Sequence, residues 1–220
     1  MKAMILAAGL GSRMRPLTNN LPKPLLKVKG QPLIVWLIKS LKQAGINEFV
    51  INLAYLGDKI SHYLGDGRLF GVSIVYSQEP EPLETAGGII FALPLLGKEP
   101  FIVVNGDIFT NFDFRQLTAG DLTAPSLAQV ILVKNPQHHP NGDFSINQNG
   151  LMTKKQQNTF TFAGIGLYHP DFFHLAPPKG PLRYFLLAGI EREVIEAVIF
   201  EGLWSDIGTP ERFNAINQIK

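Results

Sequence analysis

A chain of 220 residues, 45% hydrophobic and 17% charged, is long enough to close its own core and too apolar to be disordered. It has no cysteine, which excludes a disulfide framework and thiolate metal ligation and fits a reducing compartment. The formal charge is only +2 and the basic residues form no runs, so nucleic acid is not an expected partner.

Lys2–Ala7 reads as a buried apolar strand. The apolar run around it ends at Gly9, too short for a membrane span and unlike a cleaved leader. No later run reaches the roughly 18 apolar residues of a spanning helix, so no membrane association and a cytoplasmic location are expected. A loop rich in glycine, proline and positive charge follows, with Arg13, Arg15, Lys23, Lys27 and Lys29. Gln31–Ala44 predicts a helix, because Leu33, Ile34, Leu37, Ile38, Leu41 and Ala44 share one face, with Pro32 in its first turn and Gly45 as its stop. Strands are expected at Phe49–Leu53 and Val72–Ser77, with a helix at Asp58–Leu64. Thr85–Leu96 is helical in pattern, though Pro94 should shorten it. Further strands are expected at Phe101–Asn105, Ala128–Val133, Phe160–Tyr168 and Ala197–Gly202. Thr209 and Pro210 then open a last helix. Alternating strands and helices predict an α/β fold, a mostly parallel mixed sheet with helices on both faces. The strand-rich stretch from 128 to 168 should add an antiparallel edge and part of a second pocket wall.

The stretch Leu6-Ala7-Ala8-Gly9-Leu10-Gly11-Ser12-Arg13-Met14 leaves the carboxyl end of the first strand, where open α/β sheets bind ligands. Its glycines let backbone N–H groups approach phosphate oxygens. A dinucleotide fingerprint is excluded, since Met14 stands where its third glycine belongs, and no Gly-Lys-Ser/Thr closes a P-loop. The loop continues to Leu21-Pro22-Lys23-Pro24-Leu25, where the two prolines restrict the backbone around Lys23. A phosphate pocket is the functional reading of this segment; a solvated basic loop is the other.

These residues carry a resemblance. Gly-x-Gly-x-Arg-Met followed by Pro-Lys-Pro-Leu resembles the sugar nucleotidyltransferase (NDP-sugar pyrophosphorylase) family. Glu81–Gly88, Asn105-Gly-Asp107 and Trp204–Thr209 match further family blocks in order, over nearly the whole chain. The resemblance implies a Rossmann-like nucleotidyltransferase fold in one domain over 1–220, with a nucleotide-binding half at about 1–110 and sugar-binding elements at about 128–206. The chain stops after its last helix, without the C-terminal β-helix of many relatives, so a monomer is expected.

The implied reaction joins a sugar 1-phosphate to a nucleoside triphosphate with Mg²⁺ and releases pyrophosphate. The chain length, Glu84-Thr85-Ala86-Gly87-Gly88 and the stretch from Asn135 to Phe144 point within the family to UTP and an acceptor from cell-wall recycling. Asp107 and Asp206 are implied as metal ligands, in keeping with the oxygen ligands Mg²⁺ takes. Lys23 would meet the α-phosphate and Arg13 the leaving phosphates, with Gly11 and Ser12 offering backbone amides. A base pocket is expected from Ala8, Gly9, Gln78, Leu83, Gly87 and Gly88, although Gln78 also reads as an exposed loop residue and the two glycines as a helix start. Asn105, Asp143 and Gly164 are the sugar-side candidates. Adjacent His138 and His139 would face opposite ways and could not chelate together. Another sugar or nucleotide, a glycosyltransferase, and a non-catalytic nucleotide-binding subunit are the competing readings.

Overall fold

The computed structural model describes residues 1–81, 83–118, 122–178 and 180–218; Pro82 of the Glu81–Gly88 block lies outside them. In chain order the first elements are β1 (Ala3–Leu6), β2 (Lys27–Val28), β3 (Gln31–Pro32), α1 (Leu33–Gln43), β4 (Glu48–Leu53), α2 (Gly57–Leu64), β5 (Ser73–Gln78) and α3 (Glu84–Leu96). They are followed by β6 (Phe101–Asn105), β7 (Ile108–Thr110), α4 (Arg115–Thr118), β8 (Ala128–Val133), β9 (Ser145–Ile146), β10 (Met152–Thr153) and β11 (Thr161–Tyr168). The chain closes with α5 (Leu182–Glu191), β12 (Ile195–Phe200), β13 (Trp204–Asp206) and α6 (Pro210–Gln218).

A seven-stranded sheet in the order β12-β8-β11-β6-β1-β4-β5 forms the centre. Every neighbouring pair is parallel except those that β11 makes with β6 and β8. The expected antiparallel strand therefore exists but is not an edge: β11 is inserted in the interior, and the edge strand β12 runs parallel to β8. The two connections differ in kind: the chain from β8 to β11 carries only the short strands β9 and β10, whereas the chain from β11 to β12 passes through α5.

The sheet is covered on both faces, which explains why β1 shows no polar alternation. On one face Ile34, Ile38 and Leu41 of α1 and Ile60 of α2 pack on Ile5, Ile51 and Ile102. On the other, Ile89 and Ala92 of α3 and Phe185 of α5 pack with Met4, Val50, Val103 and Val130. A third cluster joins Met14, Leu26, Val28 and Leu33 to Phe109, Ile207 and Ile216. It ties the basic loop to α6, and each fully buried aliphatic side chain in it contributes roughly 1.5–3 kcal/mol.

Several elements differ from expectation. Helix α1 begins at Leu33, because Gln31 and Pro32 pair with Lys27 and Val28, which leaves Pro32 as the N-cap. Pro94 does not shorten α3: it sits in the last turn, where one intrahelical hydrogen bond is lost, and the helix runs to Leu96 before Gly97 at φ +97° ends it. The last sheet strand runs from Ile195 to Phe200, two residues earlier than its pattern suggests. Helix α5 and the two-stranded ribbon of β7 with β13 were not expected, and both bear on the site.

Candidate active site

A cleft of about 320 Å³ opens at the carboxyl ends of β1, β4 and β6. Ala8, Gly9, Gly11, Lys23, Leu83, Asn105 and Asp107 all line it, so the structure brings these sequence candidates together. Gly11 takes a left-handed φ of +61° and its carbonyl accepts hydrogen bonds from the Thr18 hydroxyl (2.8 Å) and the Met14 N–H (2.9 Å). Burial of Met14 pins the turn Ser12–Met14, and Ser12 and Arg13 point outward from the rim, exposed and outside the cleft lining.

Lys23 opens a tight turn between Pro22 and Pro24, and Pro24 is buried. Its ammonium group donates to Asp107 Oδ2 at 2.5 Å. Asp107 follows Gly106, and that glycine is required: a Cβ there would stand 2.5 Å from the Leu6 carbonyl oxygen, where the turn after β6 crosses the end of β1. The Asp107 carbonyl accepts from the Ile207 N–H at 2.8 Å, and β7 pairs Ile108 with Asp206 of β13. Asp206 thus lies one register position from Asp107, on the ribbon that Asp107 leads into, and outside the residues that line the cleft. Asp206 Oδ2 pairs with Arg212 Nη2 at 2.7 Å, and Arg212 Nε also donates to the Asp206 carbonyl at 2.9 Å. Its Oδ1 is buried without a hydrogen bond, 3.1 Å from His138 Nε2.

Trp204 steadies this ribbon by donating from Nε1 to the Ala163 carbonyl at 2.9 Å. The next residue, Gly164, has φ +71°, and a Cβ on it would lie 2.5 Å from Asn105 Nδ2. Asp143 is held off the same strand: its Oδ2 accepts from the Phe162 N–H at 3.0 Å and its Oδ1 lies 3.1 Å from His139 Nε2. The adjacent histidines therefore engage different carboxylates, as their spacing implies.

Among the residues expected to form the base pocket the placement is less uniform. Gln78 is exposed at the end of β5 and outside the cleft lining, while its neighbour Glu79 is buried and lines the cleft. Gly87 and Gly88 are buried in α3. Sequence reading missed the network behind them. Asn52 Oδ1 accepts from the Ala7 N–H at 2.8 Å and its Nδ2 donates to Glu79 Oε1 at 2.6 Å. Glu79 Oε2 then accepts from the Leu83 N–H at 3.2 Å. These two polar side chains clamp the start of the glycine-rich loop to the start of α3, where Glu84 takes a strained φ of +59°. Asn52 is the lone polar residue of the apolar strand Phe49–Leu53, which marks it as unusual without saying what it meets.

Asp107 and Asp206 carry oxygen donors of the kind a divalent cation takes, with Lys23 now on the first and Arg212 and His138 on the second. Among the described residues no group of three or more His, Cys, Asp or Glu gathers in a metal-binding arrangement, so such a cation would need ligands from a phosphate substrate or water.

The chain is 49% identical over 219 residues to an N-acetylmuramate alpha-1-phosphate uridylyltransferase of Neisseria meningitidis, covering 95% of this chain and 94% of that protein. It is 31% identical to the mannose-1-phosphate guanylyltransferase catalytic subunit beta of Dictyostelium discoideum, of which it spans 62%. Among solved structures, a putative glucose-1-phosphate thymidylyltransferase of Bacillus anthracis superimposes with a TM-score of 0.84 at 26% identity, over 100% of this chain and 96% of that one. The Nucleotidyl transferase family model matches residues 2–219. The chain belongs to the nucleotidyl transferase family.

Proposed function

We propose that the protein transfers a uridylyl group from UTP to N-acetylmuramate α-1-phosphate, giving UDP-N-acetylmuramate and pyrophosphate, as a cytoplasmic, Mg²⁺-dependent step in the recycling of cell-wall sugar. The observation that carries it is the 49% identity, over nearly the full length, to an enzyme of that name, in a chain whose Lys23 and Asp107 pair in one cleft. No described helix is long and apolar enough to cross a membrane.

In this reaction an oxygen of the sugar phosphate attacks the α-phosphorus, the bond from that phosphorus to the α,β-bridging oxygen breaks, and pyrophosphate leaves with the electron pair. A phosphate monoester is already largely ionised at neutral pH, its second pKa being about 6, so no general base is needed. What the protein must supply is alignment of two anions and compensation of their charge. Lys23, restrained by its prolines, would meet the α-phosphate. Backbone amides of the Gly9–Gly11 loop would cradle the triphosphate, and Arg13 at the rim would reach the departing phosphates through its planar fork. Asp107 and Asp206 would hold Mg²⁺, which when bound supplies neutralisation of the phosphate oxygens. Asn105, Asp143 and Gly164 would form the acceptor wall, and Leu83, Gly87 and Gly88 the base pocket, to which Gln78 would have to turn inward to contribute.

The test mixes the purified protein with Mg²⁺, each of the four common nucleoside triphosphates and a panel of sugar 1-phosphates, reading pyrophosphate release and product mass together. UTP consumed with N-acetylmuramate 1-phosphate supports the reading. Preference for GTP with mannose 1-phosphate, or for another pair, keeps the reaction type and replaces the substrates.

A further inference from the structure

Beside Asp143 stands a cation that the proposed chemistry does not use. Arg183 Nη1 lies 3.8 Å from Asp143 Oδ1, and the guanidinium carbon lies 5.4 Å from the centre of the Phe144 ring, within cation–π range. Phe144 is itself buried, so this platform is fixed. About half of the Arg183 side chain is exposed, and among the described residues no hydrogen bond occupies its donors. The guanidinium is thus located by a ring beneath it and a carboxylate at one edge. A guanidinium carries five donors in a rigid fork, which leaves the opposite edge to match a second carboxylate in bidentate fashion. Arg183 also lies in the first turn of α5, which contains no acidic residue and where the helix dipole favours an anion over a cation.

The position of this group relative to the cleft is defined on two sides. The Ala86 N–H donates to the Gly180 carbonyl at 3.2 Å, which fastens the segment entering α5 to the start of α3, whose Glu84 and Thr85 line the cleft. On the other side, Phe162, which anchors Asp143, is two residues along β11 from Gly164, which abuts the cleft residue Asn105. Two residues of strand span about 7 Å. A ligand resting against Asn105 therefore extends naturally toward Asp143 and Arg183.

N-acetylmuramate differs from N-acetylglucosamine by a lactyl ether, and the lactyl carboxylate is the one charge it carries apart from its phosphate. We propose that Arg183 is a specificity-determining residue that receives this acceptor carboxylate, with Phe144 and Asp143 positioning it; the inference rests on the acceptor proposed above. His139 contributes by occupying Asp143 Oδ1, which lessens the repulsion between Asp143 and the incoming carboxylate.

The experiment measures steady-state kinetics of the wild type, Arg183→Gln and Arg183→Lys with N-acetylmuramate 1-phosphate and N-acetylglucosamine 1-phosphate as acceptors. The expected result is a rise of about tenfold or more in KM for the muramate acceptor in Arg183→Gln, the order of a lost charged contact. Its kcat and its KM for UTP should change little, and Arg183→Lys should recover part of the loss. The preference for muramate over glucosamine should fall in the same proportion. An unchanged muramate KM, or an equal loss with both acceptors, overturns the role of Arg183 while leaving the proposed function standing. A wild type that turns over glucosamine but not muramate removes the proposed acceptor, and the inference with it.

Discussion

Lys23 and Asp107 neutralise each other across the cleft, with only 14% and 25% of their side chains exposed. Such a pair is arranged to receive a charged partner rather than to stabilise the fold, since desolvation of both groups offsets most of their attraction. Replacing Lys23 with alanine should lower kcat by about 10²–10³-fold, the range for one lost charge-stabilising donor; circular dichroism should keep the folded signature, while the thermal midpoint should fall because Asp107 is left largely buried without its partner. Wild-type turnover in that variant removes Lys23 from the mechanism. Asp206 has a second possible occupation, because Arg212 grips it through both its carboxylate and its carbonyl. Asp206→Asn distinguishes the two: a metal ligand predicts a shift of about tenfold or more in the Mg²⁺ concentration giving half-maximal rate. An unchanged Mg²⁺ titration makes Asp206 an anchor for Arg212 and His138 instead. Both acids stood out in the sequence through the blocks Asn105-Gly-Asp107 and Trp204–Thr209 that carry the resemblance. Asn52 and Glu79 did not, because one polar residue within or after a strand says nothing about what it will face.

Helix α3 shows how an element can be set by the network behind it. A Cβ added at Gly88 would stand 2.5 Å from Glu79 Oε1 and 2.9 Å from Asn52 Nδ2. Alanine in place of a helical glycine gains roughly 1 kcal/mol in propensity, whereas forcing a methyl group into a packed interior costs typically 1–3 kcal/mol. Here it would also strain two buried hydrogen bonds, so the cost wins. Gly88→Ala should unfold at lower urea concentration with an unchanged m-value and should raise the KM for the nucleotide. Equal stability to wild type would mean that Glu79 swings aside, and that the clamp between Ala7 and Leu83 is dispensable. Helix α5 was missed although Leu182, Phe185, Leu186 and Gly189 share one buried face. Its pattern is short and flanked by prolines and glycines, so local signals there compete. The ribbon of β7 with β13 has no local signature, because three-residue strands contain too few residues to display a period.

At the scale of the whole molecule, the exposed ion pairs bear on acid sensitivity. Arg68 holds Asp66 below the usual aspartate value of 3.8, and Arg115 does the same for Asp113. Lys154 and Lys134 lower Glu191 and Glu201 from the usual 4.5, and a hydrogen bond from Thr209 lowers Glu211. In each case folding favours the carboxylate form, so the contribution is complete above the unfolded values and is lost as pH falls through the folded ones. These groups lie in solvent, where salt screens them. The thermal midpoint should fall between about pH 6 and about pH 3, and about 1 M salt should shrink that fall. A fall of the same size at both salt concentrations would place the acid sensitivity in the interior.

Read alone, the sequence determined the α/β class, the glycine-rich loop after β1, the parallel strands that carry it and the identity of the charged residues. All of these follow from periodicity or from glycine and proline at fixed offsets, which act within a few residues. Only the tertiary structure decided that β11 lies inside the sheet, that Asp206 pairs with the strand that follows Asp107, that Glu79 rather than Gln78 lines the cleft, and that Arg183 stands over Phe144 beside Asp143. Those outcomes depend on strand register and helix packing between segments far apart in the chain, where a shift of one residue turns a side chain to the opposite face.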